Sequence, residues 1–178
     1  MRLARVFSSL PGFGPAVVAG FGLCFLLGNL LFSAVFRPTR TAQPIAFNHA
    51  KHVANGLGCA DCHSGAEQQA RAGLPTIETC RSCHESALTE SPEEAKLRRM
   101  VAAGEELRWT KLVRIPAHVY FSHRRHVQSA KLDCATCHGA MDKATTPPQR
   151  VAWVPTMNAC LACHQARGVK SDCNDCHR

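Results

Sequence analysis

Phe47-Asn48-His49-Ala50-Lys51-His52-Val53, followed by Cys59-Ala60-Asp61-Cys62-His63, is the stretch that decides how this chain is read. It recurs as Phe121-Ser122-His123-Arg124-Arg125-His126-Val127, followed by Cys134-Ala135-Thr136-Cys137-His138. The likeness continues downstream, where Leu74-Pro75-Thr76-Ile77 ahead of Cys80 matches Val154-Pro155-Thr156-Met157 ahead of Cys160. A pattern repeated at this spacing marks a structural unit used twice. Each copy holds two Cys-x-x-Cys-His groups.

Five such groups occur in all: Cys59/Cys62/His63, Cys80/Cys83/His84, Cys134/Cys137/His138, Cys160/Cys163/His164 and Cys173/Cys176/His177. Cys-x-x-Cys-His is the attachment signature of c-type haem. The two thiols bond to the porphyrin and the adjacent imidazole ligates the iron. Structural zinc does not demand a His directly after the second Cys every time. A thioredoxin-like motif stands once, in a βαβ context. A disulfide framework does not repeat one spacing five times. The sequence therefore predicts five c-type haems, and these ten cysteines leave only Cys24 of the eleven. Leu23 precedes Cys24 where a lipidated Cys would follow a small residue, so Cys24 is read as a packing or lipid-facing thiol.

The chain has ten histidines, five of them in the attachment motifs. The others are His49, His52, His118, His123 and His126, again five, so each iron can take a second imidazole. Met100, Met141 and Met157 are the alternative axial donors. His118 stands outside the repeat, and it or a Met is the fifth distal ligand. Two imidazoles close both axial positions, which suits electron transfer and leaves no open site for a substrate.

Aromatic residues make up 6% of the chain, and the region after residue 40 is rich in Gly, Pro, His and Cys, so a side-chain core is thin and bound cofactor must complete it. The formal charge is +8. Haem propionates and ferric centres bring this to about +3 oxidised and about −2 reduced. The Lys and Arg excess therefore reads as propionate compensation. No basic stripe with interleaved aromatics speaks for nucleic acid.

Residues 17–36 contain no charged residue, and 20 residues at ~1.5 Å each match a bilayer core. A cleaved signal has an apolar region of about 7–15 residues, so this stretch is expected to stay as an anchor. Because bacteria attach c-type haem outside the cytoplasmic membrane, the haem region is expected on the periplasmic face of the inner membrane, with a single pass. The expected organisation is a cytoplasmic N-terminus (1–16), membrane helix (17–36), linker (37–46), dihaem module (47–85), helical linker (86–117), second dihaem module (118–165) and fifth haem site (166–178). The fold class is mainly α and irregular, with almost no sheet. In the linker, Ser91 offers a helix cap, Pro92 the first position, Glu94 a capping-box partner and Gly104 a stop, with Leu97, Met100 and Val101 on one face. Trp109 is expected on a porphyrin or in a larger complex, with a core position as the alternative.

The Phe-x-His-x-x-His…Cys-x-x-Cys-His units resemble those of class III (cytochrome c3/c7-type) multihaem cytochromes. That resemblance implies that the first His of each unit serves the attachment motif that follows it. His49 then pairs with the Cys59/Cys62 site and His123 with the Cys134/Cys137 site, while His52 and His126 reach other haems. The membrane helix, five sites and Ile115-Pro116-Ala117-His118-Val119-Tyr120-Phe121-Ser122-His123 look like the pentahaem subunit of alternative complex III; the related menaquinone reductase complex has a similar subunit with one more haem. The implied partners are an iron–sulfur/molybdopterin-like periplasmic subunit, a polytopic quinol-binding membrane subunit, and a small acceptor cytochrome c or terminal oxidase, beside membrane lipid. The chain is then a non-catalytic electron carrier. Two alternatives stand beside this: a self-sufficient membrane quinol dehydrogenase, and a reductase with one open haem. The one-to-one histidine count disfavours the second, and the ~22 residues between Phe36 and Cys59 disfavour the first.

Overall fold

The structure, a computed structural model, describes residues 15–35 and 41–177, and divides into two units, 1–40 and 41–178. In the first unit, α1 runs Pro15–Val35 with no acidic or basic residue in its end turns. Its described side chains, 19–33, are all exposed. Asn29, a polar residue in this apolar run, donates from Nδ2 to the Phe25 carbonyl at 2.9 Å, so its amide is partly satisfied within the helix. Among the described residues no helix is long and apolar enough to cross a membrane. The described side chains of α1 are fewer than the about 20 that a bilayer takes, and the expected span's last residue lies outside the described ones.

The second unit is a string of short helices and loops: α2 (His49–Ala54), α3 (Cys59–Cys62), α4 (Ile77–His84), α5 (Pro92–Ala103), a wide π-type turn (Arg125–Ser129), α6 (Ala135–His138), a 3-10 turn (Met141–Lys143), α7 (Met157–Ala166) and α8 (Cys173–Cys176). Among the described residues the only β pairing is the isolated bridge between Val119 and His177. The mainly helical and irregular class expected from the sequence is what the chain adopts.

The buried apolar core is small: Ile45, Ile77, Leu97 and Val101, with Met100, Leu107 and Trp109 packed against it. Here α4 lies on α5, and the expected apolar face of α5 is the one buried. Trp109 takes the core alternative, and its indole N–H donates to the Pro75 carbonyl at 2.8 Å. Gly104 ends α5 at φ 65°, the left-handed conformation a stop needs. The capping box at the other end is not formed. Ser91 makes no side-chain cap, and Glu94 turns inward instead.

The two repeated modules hold each other reciprocally. The Ala50 amide, one residue after His49, donates to the carbonyl of Ala144, six residues after His138, at 3.0 Å. The Arg124 amide, one residue after His123, donates to the carbonyl of Gln69, six residues after His63, also at 3.0 Å. Each ligand-bearing turn is therefore seated on the loop behind the other module's attachment motif.

Candidate haem-binding sites

Each repeat begins by fixing two imidazoles. Asn48 caps α2 by accepting the Lys51 amide on Oδ1 at 2.9 Å, which sets the turn carrying His49 and His52. In the second copy the Ser122 hydroxyl oxygen accepts the Arg125 amide at 3.4 Å. The repeated Phe is a wedge between the two rings. Phe47 stacks on His52 at 4.3 Å between ring centres and meets His49 edge-on at 4.7 Å. Phe121 does the same to His126 at 4.8 Å and His123 at 4.9 Å. The two ligands of a module are thus held nearly perpendicular and aimed at different places.

Those places are the attachment-motif histidines. His123 lies 6.3 Å from His138, His126 6.1 Å from His164, His52 6.2 Å from His84, and His118 5.8 Å from His177, all between ring centres. His63, the remaining motif histidine, is an electrostatic neighbour of His49. Burial pushes the His49 imidazolium down in pKa, and the neighbouring His63 is the next cause. A metal–imidazole bond of about 2.0 Å and about 1.1 Å from nitrogen to the centre of a five-membered ring put two imidazoles on opposite sides of one iron about 6.2 Å apart. The four separations, 5.8–6.3 Å, lie close to that value.

The ring nitrogens away from the gap are anchored. Nδ1 of His52 lies 2.8 Å from the Asn48 carbonyl, that of His126 2.8 Å from Ser122, that of His63 2.8 Å from Gly73, and that of His123 3.1 Å from Ala70. A carbonyl accepts only from a protonated Nδ1, which leaves the Nε2 lone pair for a metal. Nδ1 of His49, His84 and His164 is buried without a hydrogen bond, that of His84 lying 3.4 Å from the Glu94 carboxylate. The donor set therefore fits axial ligation of haem iron by imidazole pairs. Among the described residues no group of three or more His, Cys, Asp or Glu is arranged to hold an ion by itself, as the zinc alternative requires.

Among the described residues no disulfide joins these cysteines, and their neighbours order the sites. Burial raises the Cys62 thiol, then Asp61 and Cys83; burial and then Cys62 raise Cys80. Burial and then the adjacent Cys59 thiol raise Cys134. Cys137 is raised by burial and then Cys163, and Cys160 by burial and then Cys176, Cys163 and Cys137. The Cys80/Cys83 motif thus neighbours Cys59/Cys62, which neighbours Cys134/Cys137, then Cys160/Cys163, then Cys173/Cys176. His138 adds to this, since its pKa is lowered by burial first, then by His123 and by His63 across the module boundary.

Sequence reasoning missed the Nδ1 acceptors and Glu94. The carbonyls are invisible in a sequence because every residue has one. Glu94 had a competing reading as a helix cap. In the structure it is buried at 8% exposure, accepting the Leu88 amide at 2.6 Å and the Thr89 hydroxyl. The Thr89 and Leu88 hydrogen bonds, and then His84, hold its carboxyl down to about 2 against the desolvation that opposes them.

Two family models match the chain. That described as cytochrome c3 covers residues 51–140, just over half of it, and that described as cytochrome c7 and related cytochrome c covers 119–178. A curated relative, the multihaem cytochrome c subunit of menaquinone reductase from Nitratidesulfovibrio vulgaris, is 40% identical over 99 residues. The match takes in 54% of this chain and 45% of that protein, so less than half of the relative's length is represented.

Proposed function

Since the chain belongs to the cytochrome c3 family of multihaem cytochromes, we propose that it carries five covalently attached haems, each between two imidazoles, and relays electrons within a quinone-linked respiratory complex. The observation that carries the reading is the pairing: four of the five motif histidines stand 5.8–6.3 Å, between ring centres, from one histidine elsewhere in the chain. Haem iron supplies one-electron exchange between its ferric and ferrous states.

The chain's own residues do the rest. Thiols of the Cys-x-x-Cys pairs would fix each haem, and the paired imidazoles would keep water and substrate off its iron. Carbonyl acceptors on Nδ1 hold the rings of His52, His63, His123 and His126 in orientation. The neighbouring thiols support one unbranched row, running from Cys80/Cys83 through Cys59/Cys62, Cys134/Cys137 and Cys160/Cys163 to Cys173/Cys176.

In this reading α1 is a single-pass anchor in the inner membrane and the haem unit lies in the periplasm. The partners are an iron–sulfur/molybdopterin-like subunit, a polytopic quinone-binding membrane subunit, and a small cytochrome c or terminal oxidase. The relative's name, a menaquinone reductase subunit, supports a quinone-linked partner and favours delivery of electrons to quinone. The likeness to alternative complex III favours their removal from quinol. Pre-steady-state mixing of the purified complex with quinol, and separately with a reduced periplasmic cytochrome, separates the two directions. The haem reading itself is tested by the mass of the mature protein and its electron paramagnetic resonance spectrum. Five adducts and low-spin signals alone are expected; fewer adducts, or rapid carbon monoxide binding in the native protein, overturn it.

A further inference from the structure

The two modules share attachment motifs, distal ligands and the Phe wedge, but they differ in what faces the ligands, most of all at the second attachment site. His84 and His164 are the motif histidines of the second site in each module. Neither His84 nor His164 makes a hydrogen bond through its buried Nδ1, but that of His84 lies 3.4 Å from the Oε1 of Glu94, an ion-pair distance. The anchored rings, of His52, His63, His123 and His126, face neutral backbone carbonyls. Glu94 is the one buried charged residue among the described ones, and no Lys or Arg there lies within ion-pair distance of it. It comes from α5, the helix between the modules.

We propose that Glu94 is a tuning residue, which lowers the reduction potential of the haem held by Cys80, Cys83, His84 and His52 below that of its counterpart at Cys160/Cys163. The inference rests on the haem reading above. A carboxylate 3.4 Å from the ligand's Nδ1 sets a fixed negative charge beside the imidazole, which favours ferric over ferrous iron. In a buried place little water screens it. The Leu88 amide and Thr89 hydroxyl hold the carboxylate in position, so the charge is built into the fold. This site stands at the end of the row. An electron reaching it is passed to its neighbour at Cys59/Cys62: one ferrous centre is oxidised, one ferric centre reduced, and no proton moves. The carboxylate thereby gives the row a downhill direction away from the Cys80/Cys83 end.

The test is spectropotentiometric titration of the holoprotein, wild type against Glu94→Gln and Glu94→Asp, with haem content and spin state measured on the same samples. In E94Q one midpoint rises by at least the 59 mV that corresponds to tenfold in the one-electron equilibrium constant, and the others move little. E94D, which keeps the charge on a shorter stem, shifts less. Five unchanged midpoints overturn the proposal. So does a uniform shift of all five, or a loss of haem or low-spin character in both variants, because either marks Glu94 as structural. A wild-type protein with five low-spin haems and no E94Q shift sinks the tuning alone; a wild type without them sinks the haem reading first.

Discussion

His118→Ala isolates one axial position from the rest of the fold. The His118 side chain is exposed and its ring centre lies 5.8 Å from that of His177, the separation for one iron between two imidazoles. The backbone beside it is held independently, since Tyr120 donates to the Cys176 carbonyl at 2.7 Å and Val119 bridges His177. Truncation therefore removes a ligand without emptying a core. One of five centres becomes high-spin, so about a fifth of the low-spin signal disappears and carbon monoxide binds at about 0.2 per haem, given five bis-histidine sites. Free imidazole at millimolar concentration restores the low-spin spectrum. Ligation by His118 also closes a loop of roughly 60 residues, and the chain-entropy ceiling for a permanent cross-link of that length is about 4 kcal/mol. Hydrogen exchange at the Tyr120 amide should accelerate, by at most about a thousandfold. A fully low-spin spectrum with no carbon monoxide binding would show that His118 is not a ligand and that Met141, Met157 or another donor serves the fifth site.

Gly65→Ala should disturb the seat of His123. A Cβ there meets the Arg71 carbonyl oxygen at 2.3 Å and the Ala72 carbonyl oxygen at 3.0 Å, both backbone, so the loop offering the Ala70 and Gln69 carbonyls must open. Loss of two or three such bonds costs about 2–4 kcal/mol, read as a lower denaturation midpoint. Ala140, which follows His138 as Gly65 follows His63, serves as control, with Ala140→Gly staying within about 1 kcal/mol. For Trp109→Phe, removing the donor to Pro75 costs about 1–2 kcal/mol in urea titration with the haem spectrum unchanged; a spectral change would put the indole against a porphyrin. Glu94 has a folded pKa of about 2 against an ordinary 4.5. Its contribution is full above about 4.5 and is lost as the pH falls towards 2, because the unfolded chain binds the proton first. The stability gap between wild type and Glu94→Gln should therefore narrow below pH 4.5 in denaturant titrations at stepped pH. Parallel curves from pH 6 to pH 2.5 would contradict it.

How much of this was legible beforehand depends on whether the information is local. Cys-x-x-Cys-His is a local covalent requirement and is read directly. The doubled Phe-x-His-x-x-His shows two ligands per module, and the short α2 turn with its Asn48 cap follows from the same residues. Gly104 as a stop and the Leu97/Val101 face of α5 were equally plain. The pairing of His52 with His84 and of His126 with His164 was not, because it depends on where a chain segment of more than thirty residues returns. His118 and His177 are further apart still in sequence, and only the Val119 bridge brings them together. Glu94 was misread because position three of a helix has two uses for a carboxylate. The cap hydrogen bond competes with the Leu88 amide, the Thr89 hydroxyl and His84, and three partners win over one.

The reciprocal seating of the modules makes the duplication a pair of interlocked halves. His123 takes its Nδ1 acceptor, Ala70, from the loop behind the first module's Cys59/Cys62/His63 motif, and the Arg124 amide lands on Gln69 in that same loop. The Ala50 amide returns the contact to Ala144. Displacing either half removes a backbone partner from a ligand turn of the other, so axial geometry in one module depends on the presence of its twin. The same exchange sets Cys59 against Cys134 and His63 near His138, which brings the first attachment sites of the two modules together. With only four buried apolar residues in the core cluster, side-chain packing cannot hold the halves in this register alone. The interlock and bound haem must supply the remainder, and under the proposed function the contact that stabilises the fold would also join the two dihaem units into one row.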